Sequence, residues 1–227
     1  MKKTPEEILD ELSQKFDKNR KSWSTLNHQD LSKLFLLAMA IAEIGQVLQQ
    51  SAIPQHQKRC CVIFDEIFSD IITATFLATC AIDKPANIIL RRVMELGIAV
   101  IYLWDMPHIM CSWEDLDHDL SFSEMVNHVN SDGYKKYVSE SLDRPIEEYI
   151  ANPIILKSYY GKLSDIVHGK ITSFESDLPN RFTFIKDDWS YFVINALSIV
   201  KTLVDAYFKR FSVKDKIIEI LPALKRL

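Results

Sequence analysis

The chain has 227 residues, of which 48% are hydrophobic, 26% are charged and only five are glycine. This length supports one large domain with a sizeable core, and so few glycines argue against a β-sandwich, a β-barrel or a glycine-rich phosphate loop. The formal charge of −4 excludes a general electrostatic attraction to nucleic acid, so any phosphate contact would need a local basic patch.

The N-terminal stretch predicts an amphipathic helix. Residues Thr4–Glu7 read TPEE, a capping box with proline at the first helical position. Apolar residues follow at helical spacing, so we expect one side of this helix to be buried. The predicted buried stripe consists of Ile8, Leu9, Leu12 and Phe16.

Three long helices of a bundle are predicted next, because apolar residues recur with helical periodicity over each segment. Asn27 and Asp30 are expected to cap the first of the three, and Pro54 separates it from the second. The three predicted helices cover residues 28–51, 57–81 and 86–105.

The helix at 86–105 is apolar nearly all round, which is typical of the central helix of a bundle. Arg91, Arg92 and Glu95 interrupt it, and Arg91 and Glu95 share one face because they are four residues apart. A charge pair in so apolar a helix indicates either a buried ion pair or the wall of a cavity, and the sequence leaves both open.

Residues 107–151 are polar and acidic, and they predict a side elaboration or lid with short helices rather than a second domain. The four pieces predicted here are 112–117, 121–129, 132–142 and 143–150.

We expect no metal and no cofactor. The core helices lack the Glu-x-x-His motif of di-iron bundles, and histidines in a polar segment are usually exposed. Some residues in this segment nevertheless have a spacing that would let two ligands share one face of a helix, namely the pairs Glu114/His118 and Glu124/His128, with His108 and Cys111 nearby.

The four cysteines lack the CxxC spacing of a metal or redox site, which indicates reduced thiols in a cytoplasmic protein. They are Cys60, Cys61, Cys80 and Cys111.

Residues 152–170 predict the helix with the strongest chemical signal. Asn152 is a good N-cap, Pro153 suits the first helical position, and Gly169 suits the end. Tyr160, Ser164 and His168 then follow one another along the edge of its apolar face. A serine in the middle of a helix bonds its own backbone, so a hydrolase triad is not predicted. An imidazole at a helix end has two main interpretations. It can be a C-cap near the last carbonyls, hydrogen-bonded to Ser164 or Glu95, or it can serve as acid or base in RNA cleavage without a metal, provided that a cation lies nearby.

The C-terminal part predicts a short excursion or minimal hairpin at 171–186 and a long amphipathic helix at 187–211. The fold class predicted is therefore all-α, an up-and-down bundle of four or five long helices. We expect no membrane span, because the longest clean apolar run, Leu34–Ala42, is shorter than the ~20 residues that a span requires.

Two stretches of the sequence resemble the HEPN superfamily. They are YYGKLSDIVHGK at 159–170 and LRRVMELGIAVIYLW at 90–104, and they are most similar to uncharacterised bacterial HEPN-like proteins with L-R-x-x-x-E and L-S-x-x-x-H-G motifs. The resemblance covers residues 27–210 in element order. It implies a single helical domain over residues 1–227, commonly dimeric, with the insertion at about 107–151. It also implies either a metal-independent endoribonuclease of toxin–antitoxin or phage-defence systems or a module that only interacts.

In the active HEPN members an arginine precedes the histidine with four to six residues between them, and here Gly161, Lys162 and Leu163 occupy those positions. The resemblance therefore implies RNA as a partner, with His168, Lys162 and Ser164 as catalytic candidates. Arg91, Arg92 and Tyr160 would contact RNA phosphate if the two helices pack together, and Glu95 would orient the site.

Two other interpretations stay open. In a non-catalytic interaction module, the same polar groups would form a buried network, and an exposed apolar stripe on the last helix would form a homodimer or bind a partner protein. In a small-molecule binder, a cavity beside Glu95 would hold the ligand.

Overall fold

The computed structural model describes residues 3–26, 28–117, 119–168 and 182–227, which form an all-α fold, and the predicted fold class is confirmed. The helices are α1 (Pro5–Trp23), α2 (Gln29–Gln49), α3 (Gln55–Thr79), α4 (Asp83–Trp104), α5 (Pro107–Glu114), α6 (Phe122–Val129), α7 (Asp132–Leu142), α8 (Pro153–Val167), α9 (Lys186–Phe211) and α10 (Lys214–Ile220), followed by a 3-10 turn at Pro222–Arg226.

Helices α2, α3, α4 and α9 form the core. Short connections make α2, α3 and α4 antiparallel neighbours, and the contact between α3 and α4 is the most extensive. Helix α9 runs parallel to α4, since Gly97 meets Leu203 while Asp105 meets Arg210 further along both helices. A Cβ at Gly97 would lie 2.5 Å from Leu203 Cδ1, so glycine is what permits this close approach.

The buried stripe predicted for α1 is present only in part. Its capping box is present, but Ile8 is 46% exposed and Leu9 is 65% exposed, whereas Leu12 and Phe16 are half-buried. The second half of α1 is attached more firmly, since buried Asn19 donates hydrogen bonds of 2.8 Å to the carbonyls of Cys80 and Phe182.

The polar segment after α4 packs onto the core through Phe122, Val126 and Val129 of α6, which are buried. The pieces predicted at 121–129 and 132–142 match α6 and α7, whereas the piece predicted at 112–117 is in fact α5, which starts five residues earlier at Pro107. The helix predicted at 143–150 is wrong. Asp143 adopts a left-handed conformation (φ 49°) and Pro145 follows it, so the chain leaves the helix there.

Several predicted features fall outside the described residues, namely the cap at Asn27, His118 of the Glu114/His118 pair, the helix end at Gly169 and the excursion or hairpin as far as residue 181. His28 occupies the N-cap position of α2, and its side chain makes no capping hydrogen bond. Helices α2 and α9 are long and apolar enough to cross a membrane by length and composition alone, and 56% and 61% of their most apolar stretches is buried inside the protein.

Candidate functional site

Helix α8 forms as predicted, because its N-terminus is capped. Asn152 Oδ1 accepts hydrogen bonds from the backbone N–H groups of Ile154 (3.0 Å) and Ile155 (3.2 Å), and Pro153 begins the helix. Leu156 and Leu163 are buried on its inner side. The polar residues of α8 are thereby held along its outer side and its edges.

Helix α8 packs against α4 and runs antiparallel to it. The contacts of α6, which lies beside both helices, show the relative direction of α4 and α8. Phe122 at the start of α6 stacks on Tyr160, and Asn127 near the end of α6 accepts a hydrogen bond from Lys157, so α6 and α8 are antiparallel. The rings of Tyr102 and His128 are 5.0 Å apart, so the later parts of α4 and α6 also lie together. The C-terminal end of α8 therefore points toward the start of α4.

Arg91, Glu95 and Tyr160 meet at the α4–α8 contact and bond one another. Arg91 donates to Glu95 Oε1 from Nε (3.2 Å) and to the Tyr160 hydroxyl from Nη2 (2.7 Å). The Tyr160 hydroxyl in turn donates to Glu95 Oε1 at 3.0 Å. The side chain of Arg91 is only 17% exposed and that of Glu95 is 37% exposed. We call these three residues the α4–α8 cluster.

The ring of Tyr160 packs against two neighbouring side chains. It stacks on Phe122 with 4.0 Å between the ring centres and 9° between the planes. The Arg91 guanidinium carbon lies 4.7 Å from the centre of the same ring. Burial raises the pKa of Tyr160 above its ordinary value, which keeps the hydroxyl protonated as a donor to Glu95. The α4–α8 cluster therefore links α4, α6 and α8.

Arg92 faces a different neighbour from Arg91. Its Nη1 donates to both carboxylate oxygens of Asp70 on α3 at 2.6 Å, and its Nη2 donates to Glu66 at 2.9 Å. Consecutive helical residues point about 100° apart, which places the two arginines beside different helices. Arg92 borders a cavity of about 430 Å³ between α3, α4 and α5, whose walls include Trp113. The structure thus does not bring Arg92 together with the α4–α8 cluster.

His168 stands apart from the α4–α8 cluster as well. It is the C-cap residue of α8, it is exposed, and its backbone N–H donates to the Ser164 carbonyl at 2.9 Å. Eight residues at 1.5 Å each place it about 12 Å beyond Tyr160 along α8. The buried hydroxyl of Ser164 has no hydrogen-bond partner within the described part of the chain, so it does not hold the imidazole. Lys162 is exposed, and its ammonium lies 5.5 Å from the centre of the Tyr159 ring.

The most buried polar network was not predicted from the sequence. Arg210 on α9 bonds both carboxylate oxygens of Asp105, at 2.6 and 3.0 Å, and the Tyr134 hydroxyl donates to the same carboxylate at 2.6 Å. Burial raises the pKa of the Tyr134 phenol, which keeps it protonated and able to donate. The sequence signal for this network is weak, because Arg210 follows Lys209 in the last turn of α9, where basic residues are common on the surface.

Two of the side chains considered for metal binding, Glu114 and Cys111, contact Arg59 instead. Among the described residues, no three His, Cys, Asp or Glu side chains form a group that could hold an ion, and His118 lies outside them. Arg59 pairs with Glu114 at 2.8 Å and donates to Cys111 Sγ at 3.4 Å. Burial raises the pKa of Cys60 to about 12, so this thiol stays protonated and unreactive.

Comparisons with models of protein families, with curated proteins and with solved structures found no match. The geometry of α4 and α8 is therefore the basis on which a function is assigned.

Proposed function

We propose that the protein is a HEPN-like helical protein of a bacterial defence or toxin–antitoxin type that acts as an interaction module. The observation that carries this proposal is that both candidate phosphate-binding arginines are bonded to carboxylates of their own chain. Arg91 pairs with Glu95, and Arg92 pairs with Asp70. A paired carboxylate offsets the guanidinium charge and competes with a phosphate for its N–H donors.

The position of His168 supports the same proposal. RNA cleavage without a metal needs an acid or base and a cation at one phosphate. His168 lies at the exposed end of α8, about 12 Å along the helix from Tyr160, the residue that bonds Arg91. In this arrangement the imidazole and the guanidinium do not converge on a single phosphate group.

Incubation of the purified chain with total RNA and tRNA tests this proposal. We expect both RNAs to remain intact with the wild-type chain and with His168→Ala, because neither arginine is free to stabilise the cleavage transition state. His108→Ala is the matched control, since His108 is also an exposed histidine but lies on α5. Cleavage by the wild type and by His108→Ala that disappears in His168→Ala would show a nuclease and overturn the proposal.

A second candidate function is RNA binding or metal-independent cleavage at the exposed end of α8. The observation that favours it is that Lys162 and His168 are both exposed in the last two turns of this helix. Here His168 would be the acid or base, and Lys162 would hold phosphate. Titration of labelled tRNA by fluorescence anisotropy tests it. Under this candidate, Lys162→Ala weakens binding and reduces the salt dependence by about one phosphate contact. An unchanged salt dependence would rule the candidate out.

A further inference from the structure

The solvent-facing side of α9 carries apolar residues in the middle and charges of opposite sign at its two ends. Tyr191 is 45% exposed and Ile194 is 57% exposed, and Leu197 is half-buried beside them. Asp187 and Lys201 are exposed one at each end of this patch. We call these five residues the α9 face. The exposed apolar stripe expected on this helix in an interaction module is therefore present.

The α9 face is arranged symmetrically about Ile194. Tyr191 and Leu197 lie three positions before and after Ile194, and both are apolar. Asp187 and Lys201 lie seven positions before and after it and carry opposite charges. The positions four before and after are both serine. Residues three, four and seven apart lie on the same side of an α-helix, so the whole pattern belongs to one surface.

We propose that the α9 face joins two copies of this chain, with the two α9 helices antiparallel about a two-fold axis through Ile194. Under that axis Ile194 packs on its own counterpart, and Tyr191 of each copy packs on Leu197 of the other. Asp187 of each copy pairs with Lys201 of the other, so the surface is complementary to itself, as a two-fold interface requires. This inference rests on the proposed interaction function and names its partner.

Charge selects the antiparallel arrangement. A parallel pairing would place Asp187 against Asp187 and Lys201 against Lys201, which is repulsive. Lys201 is exposed, and its ammonium makes a long contact of 3.4 Å to the carbonyl of Leu227 and an electrostatic interaction with Asp205. Neither is a close ion pair, so the ammonium can reach Asp187 of the other copy. A single pair of helices buries less than the ~1,200 Å² of a typical stable interface, so the dimer is weak and reversible.

The mass of the full chain in solution tests this inference by sedimentation equilibrium over a range of concentrations. We expect the mass to rise from 26.3 kDa toward twice that value as concentration increases. Ile194→Glu should remain monomeric throughout, because it places two carboxylates on the axis. Ile154→Glu is the matched control, since Ile154 is 73% exposed on α8, and it should associate like the wild type.

Exchange of the charges tests the register. Asp187→Lys alone, or Lys201→Asp alone, brings like charges together and should weaken the dimer about tenfold or more. The double variant Asp187→Lys/Lys201→Asp restores both pairs in a two-fold dimer and should recover most of the affinity. All these positions are at the surface, so the variants should keep the wild-type melting temperature.

Three results would overturn the dimer: a wild type that stays monomeric, an Ile194→Glu variant that still associates, or a double charge variant that is no better than the single ones. Each would leave the interaction function standing with a different partner if RNA remains intact. RNA cleavage that depends on His168 would instead overturn the interaction function itself, so the two failures are distinguishable.

Discussion

Arg210 and Asp105 form a two-pronged ion pair that joins the C-terminal ends of α9 and α4. The two bonds are 2.6 and 3.0 Å long, and the side chains are only 8% and 6% exposed. Tyr134 donates a third bond to the same carboxylate, so α7 is attached at this point too. The pair therefore fixes the relative position of three helices at one end of the molecule.

Loss of one partner of this pair should be costly, because it leaves the other charge buried and unpaired. We expect Asp105→Asn to lower the free energy of unfolding by about 3–5 kcal/mol, measured by urea denaturation. The double variant Asp105→Leu/Arg210→Met should lose much less, since no charge is then buried. Lys33→Ala removes an exposed pair with Asp30 and should change stability by less than about 1 kcal/mol. A loss from Asp105→Asn as small as that control would contradict the buried-pair argument.

The α4–α8 cluster should contribute measurably to stability. Tyr160→Phe removes the hydroxyl that bonds Arg91 and Glu95, and we expect it to lower the free energy of unfolding by about 1 kcal/mol. Tyr159→Phe is the neighbouring control. The ring of Tyr159 contacts the ammonium of Lys162, and a phenylalanine ring can keep this contact. The free energy of unfolding should therefore barely change. Equal effects of the two substitutions would argue against the Tyr160 hydroxyl as a structural link.

Asp83 should make stability depend on pH in an unusual direction. Burial, with a smaller effect of nearby Asp188, raises the pKa of Asp83 from 3.8 to about 6. The folded protein therefore holds this proton more tightly than the unfolded chain, so the contribution of Asp83 to stability is greatest below about pH 4 and is lost as pH rises to 6. We expect Asp83→Asn to be more stable than the wild type by about 2–3 kcal/mol at pH 8.

Urea denaturation of the wild type and of Asp83→Asn at pH 4 and pH 8 measures this effect. The difference between the two proteins should be much smaller at pH 4, where the Asp83 carboxyl is almost fully protonated in the folded state and only about half ionised in the unfolded chain. Asp188→Asn should reduce the gain, because it removes the neighbouring negative charge. A variant that is less stable than the wild type at pH 8 would show that the helix-terminal charge of Asp83 outweighs its burial.

Two glycines should respond in opposite directions to alanine. Nothing lies within 4 Å of a Cβ added at Gly161 on α8, so Gly161→Ala should stabilise the protein by about 0.5–1 kcal/mol through helix propensity. A Cβ at Gly97 would meet Leu203 at 2.5 Å, so Gly97→Ala should destabilise it by about 1–3 kcal/mol. Thermal unfolding followed by circular dichroism measures both. A stabilised Gly97→Ala variant would contradict the close packing of α4 on α9.

The long helices could be predicted from the sequence because their apolar periodicity extends over five or more turns. The error at α1 has a physical cause. Periodicity shows which side of a helix is apolar, but it does not show whether another element reaches that side, and Ile8 and Leu9 remain exposed. The error at 143–150 has a cause that the sequence does show, because Pro145 follows the end of α7 closely and disfavours a helix that continues directly from Asp143.

Contacts between residues close in the sequence could be predicted at the site, whereas contacts between residues far apart could not. The Arg91–Glu95 pair could be predicted, since residues four apart on a helix face each other. Arg92 was assigned to the same groove, but the rotation of about 100° per residue directs it to α3 instead. The contact of Arg210 with Asp105 joins residues 105 positions apart in the chain, so no local pattern indicates which partner each charge has.

The attachment of α1 provides an optical reporter. Trp23 at the end of α1 lies edge to face with Trp189 of α9, with 5.7 Å between the ring centres. Two indoles at this distance and angle couple their electronic transitions and give a near-ultraviolet circular dichroism band. Release of the first helix from the bundle would remove that band while leaving the far-ultraviolet helical signal largely in place. Local detachment can therefore be followed separately from global unfolding in the unlabelled protein.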